Sequence, residues 1–398
     1  MKILYLHQFF NTPKMPGSTR SYEFAKRLVE RGDKVYMITT NWQGLSDSSY
    51  TLVDGIHVFW APIRYENKMS YYKRIFIFLG YIWHVISIGR KLDYDLIIAT
   101  STPLTIAIPA LILKKIKAVK MIFEIRDLWP QLPIAIGAIK SNIIIKLLRF
   151  LEKTIYNESN HIICLSPGMK TELISDNLLD KISVVTNFSD IARFQNHKKS
   201  FDLLNDKIDF DKNSLIVYTG SFGRINEVIY LVNIANELKT INSKIFFLLA
   251  GDGFEKDLII SKSKEYNILN KTFYCIDYIP KNQMPGLLSR ATITASIFKN
   301  IPEMTNNSAN KFFDGLAAGK PIMINYDGWQ ADLLNESGAG FIIPPNNPKS
   351  AANLINELIT NKSRLKEMSY KSKKLAYQFD VNSNYKKFAK VIDHVSTL

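Results

Sequence analysis

The sequence predicts an α/β protein of two parallel-sheet domains, and three observations carry that expectation. At 398 residues the chain exceeds what one hydrophobic core serves, so two domains of about two hundred residues each are expected. A β-loop-α-β pattern opens the N-terminus, and a second one opens near Leu215 after a polar stretch. Strands joined through helices imply parallel pairing with right-handed crossovers. The composition, 46% hydrophobic and 22% charged, is that of a globular chain without repeats or low-complexity tracts.

The elements follow in order. Lys2–His7 is an apolar run, succeeded by a loop with Pro13, Pro16 and Gly17 and a helical stretch from about Ser21 to Arg31, with Gly32 placed to end it. Lys34–Thr40 reads as the next strand. Ile56–Trp60, Leu96–Thr100, Val119–Phe123, His161–Leu165 and Ser183–Thr186 continue the first domain, separated by segments of helical length. Asp190 to Asn213, poor in large apolar residues, reads as a linker. Leu215–Thr219, a glycine loop, a helix to about Lys239 and Lys244–Ala250 restart the pattern, which Thr272–Cys275, Ala291–Ser296 and Pro321–Asn325 extend. The expected division is 1–190 and 191–375, with 376–398 a C-terminal helix packing back on the first domain.

Charge narrows the function classes. Of the formal +15, residues 1–200 supply a net +11, from 27 Lys and Arg against 16 Asp and Glu. Such a field draws nucleic acid, anionic lipid or phosphorylated small molecules alike. The basic residues are scattered among apolar helices rather than interleaved with aromatics, which disfavours nucleic acid. Cys164 and Cys275 form no CxxC pair and suit a reducing compartment. His7, Gln8 and Asn11 break the N-terminal apolar run too early for a signal-peptide core, so the chain is expected to stay cytoplasmic. Ile75–Gly89 is apolar almost all round, with Lys73, Arg74, Arg90 and Lys91 at its flanks. It is shorter than the roughly twenty residues that span a bilayer, and is either a buried crossover helix or one lying on an anionic membrane surface.

In parallel sheets, ligands sit beyond the carboxyl ends of the strands, where three glycine-bearing loops fall. In Pro16-Gly17-Ser18-Thr19-Arg20, Gly17 permits close backbone approach and Arg20 adds a cation at a helix start; a proline-glycine turn with a solvated arginine is the alternative. Thr219-Gly220-Ser221-Phe222-Gly223-Arg224 again combines amides with a cation, Arg224. Neither loop has GxGxxG or GxxxxGK[ST] spacing, which disfavours nicotinamide redox chemistry and P-loop hydrolysis. Gly251-Asp252-Gly253 is a ligand loop or a tight turn. The sharpest segment runs from Asn310 to Ile322: Asn310 is expected to cap a helix on which Lys311 opposes the dipole unless an anion is present. Lys311 therefore reads as a phosphate ligand and Asp314, on the same face, as an acceptor for ribose hydroxyls, the alternative being a surface ion pair outside the core. Asp93-Tyr94-Asp95 lies at the wrong sheet end and Asp209-Phe210-Asp211 in the linker, so no metal is expected.

Four segments then carry a resemblance: HQFFNTPKMPGSTRSYEFAKRLVERG from His7, FEIRDLWP from Phe123, SANKFFDGLAAGKPI from Ser308 and GWQADLLNESGAGFIIPP from Gly328. In that order, over nearly the whole chain, they resemble the family 4 glycosyltransferases of GT-B fold, nearest to the N-acetyl-L-fucosamine transferases of O-antigen and capsule clusters. The resemblance implies two Rossmann-like domains facing across a cleft, the first on the acceptor side, the second holding a nucleotide sugar. It implies a retaining transfer, with no metal or other cofactor, from a UDP-sugar to a polyprenyl-diphosphate-linked saccharide at an anionic membrane surface. It puts the donor diphosphate between Gly17 and the cations Arg224 and Lys311. Arg126, Asp127, Arg224 and Lys311 become the catalytic set, and Gly17, Arg20, Gly220, Ser221, Gly251, Asp252, Asn310 and Asp314 the donor-binding set. The family's glutamate pair, eight residues apart, falls on Asn306 and Asp314, with Glu303 near enough in sequence to substitute. Where many relatives have His-Asp this chain has Arg126-Asp127, a pair that either holds an anion or only orders the loop before Trp129-Pro130. Ser101 and Thr102 are further acceptor-side candidates. Two other readings are a UDP-sugar 2-epimerase with the same cleft and a non-enzymatic nucleic-acid-binding protein.

Overall fold

A strand covered on both faces is apolar without alternation, and the chain's central strands have that character. The computed structural model describes residues 1–41, 49–63, 71–174, 178–196 and 206–398. The chain divides into two compact units, the first comprising Met1–Thr12, Thr19–Thr186 and Asn384–Leu398, the second Pro13–Ser18 and Asn187–Ser383.

In the first unit, β1 (Lys2–Leu6), β2 (Lys34–Thr40), β3 (Tyr50–Val53), β4 (Ile56–Ala61), β5 (Leu96–Thr100), β6 (Lys120–Ile125), β7 (His161–Cys164) and β8 (Ile182–Val184) form one sheet in the order β3-β4-β2-β1-β5-β6-β7-β8. Every pairing is parallel except β3 with β4, a hairpin turned at Asp54 and Gly55, both left-handed. That hairpin strand went unread in the sequence, because Tyr50–Val53 is a short edge strand that buries neither face completely. The helices Tyr71–Gly89, Ala107–Lys117 and Asn142–Glu158 cover one face around a core holding Tyr81, Val85, Ala110, Leu113 and Ile155. Arg20–Glu30 and the C-terminal helix lie against each other, with Phe24 stacked on Phe388 at 4.3 Å.

In the second unit, β9 (Ser214–Thr219), β10 (Ile245–Ala250), β11 (Phe273–Ile276), β12 (Ile293–Ser296), β13 (Ile322–Ile324) and β14 (Gly340–Ile342) form an all-parallel sheet, β11-β10-β9-β12-β13-β14. β14 also went unread: it is three residues long and starts on a glycine whose Cβ would fall 2.1 Å from the Ile322 carbonyl oxygen. The strand order reverses at β1/β5 in the first sheet and at β9/β12 in the second, where crevices open at the carboxyl ends.

Two expectations need revision. The linker is partly helical: Ile191–Gln195 is a helix capped by Asp190, whose carboxylate accepts from Arg193 N at 3.1 Å, while 197–205 lie outside the described residues. The first domain ends by contact at Thr186 and the Gly17 loop belongs with the second unit. Among the described residues no helix is long and apolar enough to cross a membrane, and Tyr71–Gly89 divides its surface, with Tyr81 and Val85 buried and Leu79 and Trp83 exposed. The side chains of 71–77, Lys73 and Arg74 among them, lie outside the described residues.

Candidate functional site

The second unit's switch point gathers one cluster. β9 ends at Thr219, and Gly220 takes φ +134°, a conformation open to glycine, so that the chain can turn toward the start of the helix Asn310–Ala317. Lys311, second in that helix, points back over this turn. Its ammonium lies 4.5 Å from the ring centre of Tyr218 and 4.4 Å from that of Phe298, which follows β12. It donates to the Tyr218 hydroxyl at 3.0 Å, and that hydroxyl donates to the Ser221 carbonyl at 2.8 Å. In the amide orientation that satisfies both its atoms, Asn226 donates to the Ser221 carbonyl at 3.0 Å and accepts from Lys311 at 3.3 Å. Among the described residues no carboxylate pairs with Lys311. Burial pushes its pKa down to about 7. The result is a cation held by π faces and neutral oxygens, without a countercharge among the described residues.

The neighbouring loops hold this turn in place. A Cβ on Gly251 would fall 1.9 Å from the Gly220 carbonyl oxygen, so Gly251 is there to let the loops after β9 and β10 touch. Asp252 accepts from Phe222 N through its carbonyl at 2.9 Å, and its half-exposed carboxylate sits 3.4 Å from Lys256. The Ser221 hydroxyl meets that of Tyr278 at 2.9 Å. Arg224 is exposed, its guanidinium stacked 4.2 Å over the ring of Phe254. Gly17 is exposed at φ +110°, in a loop tethered by Asn282 N to the Pro13 carbonyl at 3.0 Å and Lys281 N to the Met15 carbonyl at 3.3 Å.

Three of the expected donor-side residues behave otherwise than the pattern suggested. Asn310 is not the cap; Ala309 holds that position and Asn310 is the first helical residue. Asp314 is neither at the surface nor paired with Lys311. It is buried at 3% exposure, ion-paired with Lys281 and accepting from Ser189 Oγ at 2.9 Å, so its carboxylate is already engaged inside the second unit. Arg20 is likewise not a solvated anion ligand. It is buried in the first unit with Glu124 at 2.8 Å and donates to the carbonyls of Val185 at 2.8 Å and Thr186 at 2.6 Å. Burial pushes the Glu124 carboxyl up, but Arg20 and Arg126 outweigh it and hold it below its usual range. Glu303 lies half-buried in the turn Pro302–Met304.

The first unit's switch point gathers a second cluster, at the ends of β1, β5 and β6. Arg126 N donates to Ser101 Oγ at 2.9 Å, and Thr102 Oγ1 donates to the Asp127 carboxylate at 3.4 Å. The guanidinium of Arg126 meets His7 Nε2 at 3.2 Å, and His7 Nδ1 meets Ser21 Oγ at 2.6 Å. A guanidinium only donates, so Nε2 accepts and the proton of His7 resides on Nδ1, which donates to Ser21. Burial and then Arg126 hold His7 well below its ordinary pKa, while burial raises that of Asp127 against the opposing pull of Arg126 and Thr102. His7 was missed as a functional candidate; a polar residue breaking an apolar run at a strand's carboxyl end was the available signal. Tyr218, inside a strand, and Phe298, just after one, were missed because aromatic residues in apolar runs read as core.

Residues 17–193 match the family described as Glycosyltransferase Family 4, and residues 201–375 match Glycosyl transferases group 1. The probable glycosyltransferase WbjE of Pseudomonas aeruginosa is 22% identical over 297 residues, covering 71% of this chain and 70% of that protein. Sucrose-phosphate synthase of Thermosynechococcus elongatus superposes with a TM-score of 0.80 at 14% identity, over 99% of this chain and 98% of its own. Anabaena Alr3699/HepE, solved in complex with UDP and glucose, gives 0.73 at 16% identity, over 99% and 100%. WaaG, a glycosyltransferase involved in lipopolysaccharide biosynthesis, gives 0.73 at 12%, over 98% and 99%. At these identities the structural likeness speaks for the fold, and the sequence matches speak for the chemistry. Two parallel-sheet units carrying two successive transferase domains place the chain among the glycosyltransferases of GT-B fold, family 4 in its first domain and group 1 in its second.

Proposed function

We propose that this glycosyltransferase moves a sugar from a UDP-sugar to a polyprenyl-diphosphate-linked saccharide, retaining the anomeric configuration, in the assembly of a bacterial surface polysaccharide such as O-antigen or capsule. The sugar in this reading is N-acetyl-L-fucosamine, following the resemblance of the four segments. The observation that carries the proposal is Lys311, a cation at a helix start beside Gly220 with no carboxylate partner among the described residues. A leaving diphosphate supplies the missing charge. As the sugar–phosphate bond breaks, negative charge grows on the diphosphate, and Lys311 and Arg224 stabilise that state more than the ground state. The departing phosphate oxygen then takes the proton of the acceptor hydroxyl, which attacks the same face of the sugar. Arg126, set between His7 and Ser101, offers a cation to an anionic group of the acceptor, with Asp127 orienting a hydroxyl beside it. Side-chain cations, rather than a metal ion, balance the diphosphate. The complexes of HepE with UDP-glucose and of trehalose-6-phosphate from E. coli with UDP-2-fluoro glucose support a uridine donor.

A thermal-shift screen tests the donor class, because a ligand of the folded state stabilises it by about 2.7 kcal/mol at a hundredfold excess over Kd. UDP is expected to raise the melting temperature where GDP and ADP do not, and excess EDTA is expected to leave both that shift and transfer intact. Equal shifts from all three nucleotides, or activity lost to EDTA and restored by manganese, overturn the respective parts.

A further inference from the structure

We infer that the second unit holds a further anion site, at the amino ends of β12 and β13, which takes a phosphate-bearing small molecule. It stands at the opposite end of the sheet from Gly220, and the helix Asn310–Ala317 separates the two places. Lys311 lies in the first turn of that helix, and Lys320 just beyond its last. A cavity of about 350 Å³ opens between the segments leading into the two strands and the helix Lys362–Ala376. That volume falls within the range of about 300–1,000 Å³ usual for small-molecule sites. Lys366, Tyr370 and Lys373 stand at i, i+4 and i+7, so one face of the helix presents all three to the cavity. Lys320 lines it from the opposite wall.

Geometry and charge together fit an anion here. A Cβ on Gly319 would fall 2.4 Å from both Cγ and Cε of Lys373, so the glycine leaves room for the lysine stem to lie along the turn before Lys320. Lys320 is itself held in place: its ammonium donates to the Ser289 carbonyl at 2.8 Å, and its own carbonyl accepts from Ser372 Oγ at 2.8 Å. The acid of the facing helix, Glu367, is engaged by Lys371 at 2.6 Å, and among the described residues no carboxylate pairs with Lys320, Lys366 or Lys373. Burial and then the like charge of Lys373 push the Lys320 pKa down to about 8. Cations that oppose one another across a cavity are relieved by an anion between them. A helix end favours one nearby cation, which accounts for Lys320 but not for the two lysines facing it. Thr292 Oγ1 accepts from Leu215 N at 3.0 Å and keeps its hydrogen to donate into the cavity wall, where half-buried Ser369 adds a second hydroxyl. Lysine ammoniums are compact point charges suited to phosphate oxygens. Tyr370, 70% exposed at the rim, offers a ring face to whatever carries the phosphate.

Calorimetric titration of the full chain at low ionic strength tests this, with inorganic phosphate, glucose 6-phosphate and glucose as the probes. Glucose 6-phosphate is expected to bind and glucose is not; inorganic phosphate binding as tightly as the ester identifies free phosphate as the source, and weaker binding identifies the ester. Lys320→Met/Lys373→Met is expected to lower affinity at least about tenfold, a loss of roughly 1.4 kcal/mol. The same variant should melt no lower than the parent chain, because it removes a pair of like charges. Should it fold poorly, Lys366→Glu at the exposed rim takes its place, with the same loss expected. Lys311→Ala is expected to leave this binding within about twofold, since it lies at the other end of the sheet. Lysine acetylation read by mass spectrometry is expected to slow at Lys320 and Lys373 when glucose 6-phosphate is present. Absence of binding by either phosphate at millimolar concentration overturns the inference. Binding that survives both lysine variants overturns it as well, and binding abolished by Lys311→Ala moves the anion to the Gly220 loop.

Discussion

Arg20 in the first unit and Lys311 in the second are close counterparts in placement. Each stands at the first or second position of a helix and turns its charge inward, Arg20 just after the Gly17 loop in sequence and Lys311 beside Gly220 in space. Their surroundings differ in one respect. Arg20 finds Glu124, two backbone carbonyls and the face of Phe24 at 4.7 Å, so its charge is balanced within the fold. Lys311 finds two rings, a hydroxyl and an amide oxygen, none of them charged. A balanced buried cation is part of the architecture, whereas one left unbalanced is a place for a ligand's charge. Loop, glycine and cation together do not separate the two cases; the presence of a carboxylate does.

Four measurements sharpen or break that comparison. Arg20→Met is expected to cost the most in stability, about 3–5 kcal/mol, because it leaves Glu124 buried without its main partner. Urea unfolding reads the loss, and near-normal stability coupled to weaker UDP binding would return Arg20 to the donor site. Lys311→Ala is expected to leave ligand-free stability unchanged or raised, since no carboxylate is orphaned, yet to lower kcat about a hundredfold, roughly 3 kcal/mol. Near-normal turnover in that variant removes Lys311 from the site. Asp314→Asn, with its partners Lys281 and Ser189 buried around it, is expected to cost roughly 1–3 kcal/mol of stability, partly recovered when Lys281→Met is added. A rise in donor KM with stability intact would restore the ribose role that the sequence suggested.

The smallest effect is a proton. Burial sets Lys311 at about 7 against an ordinary 10.5, so between those values the unfolded chain holds more protons and ligand-free stability gains from this group as pH rises. A bound diphosphate favours the charged form and moves the value back up. Binding of UDP at pH 8 is therefore expected to take up as much as about one proton, fading toward pH 6. Calorimetry in buffers of different ionisation enthalpy measures it, and uptake that persists in Lys311→Met locates the proton elsewhere.

Legibility followed burial. Lys34–Thr40 and Leu96–Thr100 were readable to the residue because a central strand is buried almost end to end and is built largely of apolar and β-branched residues. Tyr50–Val53 and Gly340–Ile342 were not, since an edge strand and a three-residue strand carry too little pattern. The loops after the strands were placed correctly, but not the partners of the charges in the helices beyond them. Arg20 meets a glutamate 104 positions later and Asp314 a serine 125 positions earlier, separations across which local spacing carries no information.

By itself, the sequence determined the two α/β units, their strand order of appearance and the glycine loops at the strand ends, because these depend on hydrophobic period and on residues that only certain backbone angles admit. Only the tertiary structure decided which cation is balanced by a carboxylate and which is not among the described residues, and which side of Asn142–Glu158 turns its isoleucine, leucine and phenylalanine outward. Both are questions of charge balance and burial among residues distant in the chain, and Coulomb attraction and desolvation take their values from neighbours in space rather than in sequence.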